Sequence, residues 1–228
     1  MPSRQVPLIT QEIYHVMNRG VARAPIFTDK RSYSRFLQSL DYYRFIDSPV
    51  KLSHFLVMSM QGRQLLMDSL EKENRKYVEI YCYCLMPNHF HLLLRQLVNN
   101  GISKFIGKAI NSYSKYFNIR GDREGPLLQG RFKAVRIETD EQFTHVSRYI
   151  HINPYVGKII ERDQLLDYPY SSLPQYISEK NKYITDQSFL RSYFRKAEDY
   201  RQFILDEADY KRSKKDFEHL LLEETRGV

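Results

Sequence analysis

Apolar positions change their spacing several times along the chain, and each change marks an element. From Gln11 to Met17 they alternate closely enough for a strand, ended by Asn18-Arg19-Gly20, where the glycine permits a turn. From Thr28-Asp29 onward Tyr33, Phe36, Leu37, Leu40 and Tyr43 recur at three- and four-residue steps. That spacing predicts an amphipathic helix to about Ile46, capped by Asp29 or Thr28 and stopped before Pro49. Lys51 to Arg75 mixes the run Phe55-Leu56-Val57-Met58 with a charged amphipathic segment from Leu65 to Lys76; the second half reads as helix, and the first half is open. Tyr77 to Leu85 is rich in β-branched and aromatic residues and reads as a strand. Pro87-Asn88 then turns it back into His89-Arg95 as a hairpin.

Beyond the break at Asn99-Asn100-Gly101, Ile102, Phe105, Ile106, Ile110, Tyr113 and Phe117 fall near one face of a helix from Ile102 to Ile119. Gly121 to Gln129 is a loop, and Arg131 to Ile137 alternates as a strand with Arg131, Lys133 and Arg136 toward solvent. Thr139 and Gln142 have the spacing of a capping box, so a helix starts there, burying Phe143, Val146 and Ile150. Pro154 disfavours helix at the residue before it, so its end is expected near Asn153. The resulting order is strand, helix, strand, strand, helix, strand, helix. An α+β fold accommodates it, with an antiparallel sheet and helices segregated on one face in the ferredoxin-like manner.

A chain of 228 residues has room for one catalytic-sized domain, expected over residues 1–165, and a helical C-terminal extension over 166–228 that packs on it. The extension opens with Pro169-Tyr170-Ser171-Ser172 and Pro174 as an ordered loop. Helical patterns follow over 187–197 and 198–224, the last carrying a basic cluster at Lys211, Arg212, Lys214 and Lys215.

A net charge of +8 fits a polyanionic partner better than an acidic or neutral one. Lys104, Lys108, Lys115 and Arg120 lie on the polar face of the helix expected from Ile102 to Ile119, where they suit phosphates, although a solvated surface is the commoner explanation of such a face. The 18 tyrosines and 13 phenylalanines include enough aromatics for stacking on unpaired bases, yet most belong in a core. Cys82 and Cys84, the only cysteines, form neither a zinc C-x-x-C nor a disulfide framework and read as buried thiols in a reducing compartment. With no charged-then-apolar leader and no apolar run of membrane-spanning length, a cytosolic protein is expected.

The candidate chemistry starts at His89-Phe90-His91. On a strand, side chains at i and i+2 share a face, so the two imidazoles point one way, as half of a metal site, while Phe90 points into a core. Later, Tyr149 and Asn153 stand four apart and share one helical face. A phenol with its ordinary pKa of about 10 is a poor nucleophile unless a base or nearby cation favours the phenolate. A divalent ion on His89, His91 and an oxygen ligand would polarise a scissile phosphate. Tyr113 and Tyr116 compete with Tyr149 for the nucleophile's place, with packing or base stacking as their alternative roles. His151 is expected to be structural or a weak DNA contact.

These residues resemble a known family. Tyr14-His15-Val16-Met17-Asn18-Arg19-Gly20, Pro25-Ile26-Phe27, Cys84-Leu85-Met86-Pro87-Asn88-His89-Phe90-His91-Leu92-Leu93, Gln129-Gly130-Arg131-Phe132 and Arg148-Tyr149-Ile150-His151-Ile152-Asn153-Pro154 are similar, in order, to the single-tyrosine HUH transposases, and most closely to the REP-associated tyrosine transposases. The resemblance spans about residues 10–160. It implies a ferredoxin-like HUH core, His89 and His91 as metal ligands, Tyr149 as nucleophile, and Asn153 at the third-ligand position. The insertion-sequence branch carries glutamine there. Magnesium or manganese is the implied ion, a hard cation suited to amide oxygen, phosphate and water.

The implied activity is that of a DNA endonuclease and strand transferase acting on single-stranded or hairpin DNA of palindromic repeats, through a covalent 5′-phosphotyrosine. It implies a bacterial cytoplasmic setting and no membrane partner; the insertion-sequence branch looks dimeric and the REP-associated branch can be monomeric, and the extra C-terminal segment favours a monomer over a homodimer. Arg19, Lys104, Lys108, Lys115, Gln129, Arg131 and Lys133 are the candidate DNA contacts. One alternative is a domesticated hairpin-binding protein that does not cut. A two-histidine phosphoesterase ranks last, because neither His89 nor His91 has a hydroxyl residue two positions on.

Overall fold

Strand alternation in β1 (Ile13–Arg19), β2 (Val78–Met86), β3 (His89–Gln96) and β4 (Lys133–Ile137) builds one antiparallel sheet ordered β2-β3-β1-β4. The computed structural model describes residues 7–177 and 184–213, with side chains to 208, so the basic cluster expected at Lys211, Arg212, Lys214 and Lys215 lies outside the described side chains. Met86 pairs with His89 across the Pro87-Asn88 turn, and Arg19 and Met17 pair with His89 and His91. Both histidines therefore sit at the hairpin end of the sheet, on the strand flanked by β2 and β1.

Tyr14 and Val16 of β1 and Phe90, Leu92 and Leu94 of β3 face one core, closed by α1 (Lys30–Tyr43) and α4 (Gly101–Arg120). Phe90 is fully buried, its ring 5.0 Å from that of Phe36, as the strand period requires. Asp29, rather than Thr28, caps α1: its carboxylate accepts the Ser32 amide at 2.9 Å, and the Ser32 hydroxyl accepts the Asp29 amide at 3.1 Å. The segment left open resolves into α2 (Leu52–Val57) and α3 (Met60–Glu73), which enclose a small satellite core of Tyr42, Phe45, Leu52, Phe55 and Leu70.

The other face of the sheet is also covered, which corrects the expectation of helices on one face only. Cys82, Cys84, Met86, Leu93 and Ile137 pack with Phe143, Ile150 and Ile152 of α5 (Asp140–Val156). Three further helices follow: α6 (Leu173–Ile177), α7 (Ser188–Arg191) and α8 (Ala197–Ser213), which add Tyr176, Leu190, Tyr200 and Ile204 to the same core. The reason is legible in β2, where every position but Glu79 is apolar, and in the consecutive Leu92-Leu93-Leu94 of β3, where a one-sided strand would be apolar only at every second position. The described part of the C-terminal extension thus shares a core with α5. It also covers the outer edge of β2, where Leu85 donates its amide to the Tyr170 carbonyl and Ser172 donates its amide to that of Tyr83, both at 2.9 Å.

A second correction concerns the end of α5, which continues through Pro154 to Val156. Near the terminus the proline removes a single intrahelical donor, and the next turn still closes through Gly157, whose amide reaches the Asn153 carbonyl at 2.8 Å.

Candidate active site

Two strands and one helix meet at the hairpin end of the second face. His15 and Met17 on β1 and His89 and His91 on β3 point toward α5, where Tyr149 faces them. The Tyr149 ring lies 5.5 Å from that of His91 and 6.0 Å from that of His15, edge-on to both. The rings of His89 and His91 are 4.9 Å apart and nearly perpendicular. Asn153 lies one helical turn beyond Tyr149 and is buried. Just past it, a Cβ on Gly157 would come 2.8 Å from the Met86 methyl, so the end of α5 sits over the end of β2 that carries the hairpin.

Each histidine is held by a neighbour through Nδ1. His91 Nδ1 is 2.9 Å from His15 Nε2, with the two rings stacked at 5.1 Å. His89 Nδ1 is 2.6 Å from Asn88 Oδ1, and the Asn88 amide in turn donates to the Arg23 carbonyl at 3.1 Å. Arg23 and Ala22 adopt left-handed φ values of 60° and 52°, a conformation costing non-glycine residues roughly 1–2 kcal/mol, as is found where a functional geometry is over-determined. Such outer partners fix the tautomer and the aim of a metal-binding imidazole.

Burial pushes His15 and His89 down to about 4 and His91 well below its ordinary value, the Arg19 charge adding to the effect at His89 and the two neighbouring imidazoles at His91. All three are neutral at physiological pH, the form in which imidazole binds a cation. Buried polar atoms in a protein normally find hydrogen-bond partners, yet Nε2 of His91, the nitrogen that would present a lone pair to a cation, has none. A ligand set of two imidazoles and an amide fits a divalent ion at this position. Among the described residues no cluster of three or more His, Cys, Asp or Glu side chains that could hold a metal forms.

The structure thus brings His89, His91 and Tyr149 together, with Asn153 buried one helical turn along α5 from Tyr149. The competing tyrosines lie across the sheet: Tyr113 is fully buried on α4, its hydroxyl donating to the Ile26 carbonyl and its pKa pushed up by burial, and Tyr116 also belongs to α4. His151 is fully buried behind the Tyr149 face, with no surface to offer DNA.

Among the candidate DNA contacts, Arg19 and Gln129 meet beside the site through a 2.9 Å hydrogen bond, and Lys133 pairs in register with Met17. Arg131 is exposed between them. Lys108 and Lys115 lie on the opposite face, in a groove of about 890 Å³ between α1 and α4 that Arg35, Lys51 and Arg120 also line. A second hollow of about 630 Å³ extends it past Lys30 and Arg31, and no carboxylate lines either. Lys104, near the start of α4, stands apart from both sets. Sequence reasoning missed His15, Asn88 and Arg23 as site residues. His15 carried the available signal, a polar residue inside the otherwise apolar run from Ile13 to Met17, with the strand parity of Met17.

Residues 50–153 match the model of the family described as IS200-like transposases, a stretch that includes both histidines, Tyr149 and Asn153. Among solved structures the chain is similar to a REP-associated tyrosine transposase bound to a REP hairpin, with a TM-score of 0.51, 16% identity, and coverage of 82% of this chain and 96% of that one. At that identity the likeness is one of fold. No curated protein sequence matches the chain.

Proposed function

We propose that this protein, whose residues 50–153 match the model of the IS200-like transposases, cuts one DNA strand beside a hairpin and passes the end to another strand through a phosphotyrosine. The observation that carries the reading is the Tyr149 ring 5.5 Å from His91, with Asn153 one turn further along the same helix. In cleavage the Tyr149 phenol gives up its proton and its oxygen forms a bond to a backbone phosphorus. The bond from that phosphorus to the 3′ oxygen breaks, and the departing oxygen takes a proton to leave a free 3′ hydroxyl. The 5′ phosphate stays on Tyr149 as an ester that a second 3′ hydroxyl can attack, restoring both the phosphodiester and the phenol.

His89 and His91, aimed by Asn88 and His15, and Asn153 are the side chains that would hold magnesium or manganese. Bound there, the ion would polarise the scissile phosphate. The buried neutral rings and the helix hold their orientation before substrate arrives, which is the chain's own contribution to the rate. Arg19, Gln129, Arg131 and Lys133 border the site where the cleaved strand would enter. The groove holding Lys108 and Lys115 would take further backbone phosphates on the other face. A hairpin as substrate is supported by the fold shared with the hairpin-bound transposase. One chain supplies all four candidate site residues, which supports a monomer. The expected setting is the bacterial cytoplasm; among the described residues no helix is long and apolar enough to cross a membrane.

The test is denaturing gel electrophoresis after mixing the protein with labelled hairpin DNAs and manganese, beside Tyr149→Phe and His89→Ala. A denaturant-resistant adduct in the wild type that is absent from both variants is expected. An adduct persisting in Tyr149→Phe would move the nucleophile elsewhere, and tight binding with no adduct would make this a hairpin-binding protein.

A further inference from the structure

Helix α5 presents Tyr149 and Asn153 to the histidines on one side, while the residues interleaved with them, Ser147, Arg148 and His151, are held from behind by the C-terminal extension. A continuous chain of hydrogen bonds joins β2, α5 and α8 there. The Tyr83 amide of β2 donates to the Ser172 hydroxyl at 2.9 Å, which lies 2.7 Å from His151 Nε2. His151 Nδ1 is 2.6 Å from the Tyr200 hydroxyl of α8, which donates to the Ser147 hydroxyl at 3.3 Å, which donates to the Thr144 carbonyl at 2.7 Å. The Ser172 hydroxyl also reaches the Tyr83 carbonyl at 3.3 Å, so each member of the chain has a partner and the buried imidazole of His151 is bonded through both of its nitrogens. A buried network of this kind, complete from end to end, specifies one relative placement of its members.

A second tie runs in parallel. Arg148, next to Tyr149, forms an ion pair with Glu207 of α8 and lays its guanidinium over the Phe203 ring at 4.0 Å. Both partners of the ion pair are largely buried, so neither charge finds a substitute in water if the other is removed.

We propose that α8 is a clamp on the helix carrying Tyr149, with Tyr200 and Glu207 as positioning residues that keep the phenol against His91. Neither touches the site; they act through His151, Ser147 and Arg148. A helix free to slide or turn would carry Tyr149 and Asn153 away together, since they share its face. The clamp gives the C-terminal extension a function in the reaction, and it rests on the reading of Tyr149 as nucleophile.

The test compares full-length wild type with Tyr200→Phe, which keeps the ring and breaks the hydrogen-bond chain, and Glu207→Gln, which breaks the ion pair. Glu198→Gln, at an exposed ion pair with Arg201 on the same helix, is the control. Amide hydrogen exchange is read over α5 and β3, with hairpin affinity and the single-turnover rate of adduct formation on the same samples. Expected in each clamp variant are α5 exchange and adduct formation altered by about 10-fold, faster and slower respectively, with β3 exchange and DNA affinity within about 2-fold of wild type. Unchanged α5 exchange overturns the clamp. So does acceleration equal in α5 and β3, which marks general loss of stability, or a fall in affinity that accounts for the rate. A wild type that forms no adduct overturns the phosphotyrosine reading instead, and the exchange comparison then decides alone whether α8 holds α5.

Discussion

Nε2 of His15 sits 2.9 Å from Nδ1 of His91, the two residues being diagonal neighbours on β1 and β3. For His91 to present a lone pair on Nε2, its proton must sit on Nδ1 and be donated to His15, which leaves the His15 proton on its own Nδ1. Only that tautomer turns a lone pair outward from the His91 nitrogen that has no protein partner. His15 serves the candidate metal site without being able to reach it as a ligand itself.

Truncating His15 should therefore weaken metal binding without removing a ligand. His15→Ala is expected to lower manganese affinity by about 10–100-fold, the usual effect of losing an outer-shell partner. Gln at the same position retains an acceptor and should recover part of it. Titration calorimetry with manganese alone checks this; wild-type affinity in His15→Ala would separate His15 from the site.

Gly20 closes the loop that carries Arg23. Its φ is −61°, so no left-handed backbone demands glycine; the constraint is space, because a Cβ there would lie 2.1 Å from the Ala24 carbonyl oxygen and 3.0 Å from an Ile26 methyl. Gly20→Ala should destabilise the fold by about 1–3 kcal/mol, the range for overpacking. It should also loosen the Asn88 tether on His89. Urea denaturation gives the first effect, and manganese affinity measured well below the transition gives the second. A variant as stable as wild type would mean the loop yields without cost.

Most of the fold was readable because period and turn chemistry agreed: the spacing of Tyr33, Phe36, Leu40 and Tyr43 located α1, and Pro87-Asn88 located the hairpin. The helices on the second face were harder. Periodicity shows that β2 and β3 are apolar on both sides, but what covers the second side is a matter of long-range packing, supplied here by α5 and the extension. The line of site residues on β3 and α5 was legible for the same reason, since i+2 on a strand and i+4 on a helix each fix a shared face. His15 and Asn88 were not, because their roles depend on register between strands and on a turn's side-chain direction, which a single sequence leaves unstated.

Asp29 ties α1 to the end of α4 and should make stability depend on acid. The Arg120 guanidinium beside it, together with the Ser32 amide, holds its carboxyl at about 2, below the ordinary 3.8. A depressed folded-state pKa contributes stability that is present above the unfolded value and lost as pH falls through the folded one. The difference between wild type and Asp29→Asn should accordingly be constant above about pH 5, shrink as pH falls, and have lost most of its size by about pH 2. The pair is exposed, so salt should reduce the ion-pair part of it. Thermal melts at several pH values and two salt concentrations suffice, and a difference undiminished at pH 2 would show that the carboxylate charge is not its source.

The two basic sets make separable predictions for DNA affinity. Lys108 and Lys115 line one groove that holds no carboxylate, whereas Lys104 on the same helix lies outside it. If the groove tracks phosphates, each contact releases counterions, and Lys108→Ala or Lys115→Ala should each reduce the slope of log affinity against log salt by about 1. Lys104→Ala should leave the slope unchanged. Because the groove and His91 are on opposite faces of the sheet, adduct formation at saturating DNA should keep its wild-type rate in both groove variants. Fluorescence anisotropy with a labelled hairpin between about 50 and 200 mM salt measures the slopes. Equal slopes in all three variants would remove the α1–α4 groove from the DNA path and leave Arg19, Gln129, Arg131 and Lys133 as its candidates.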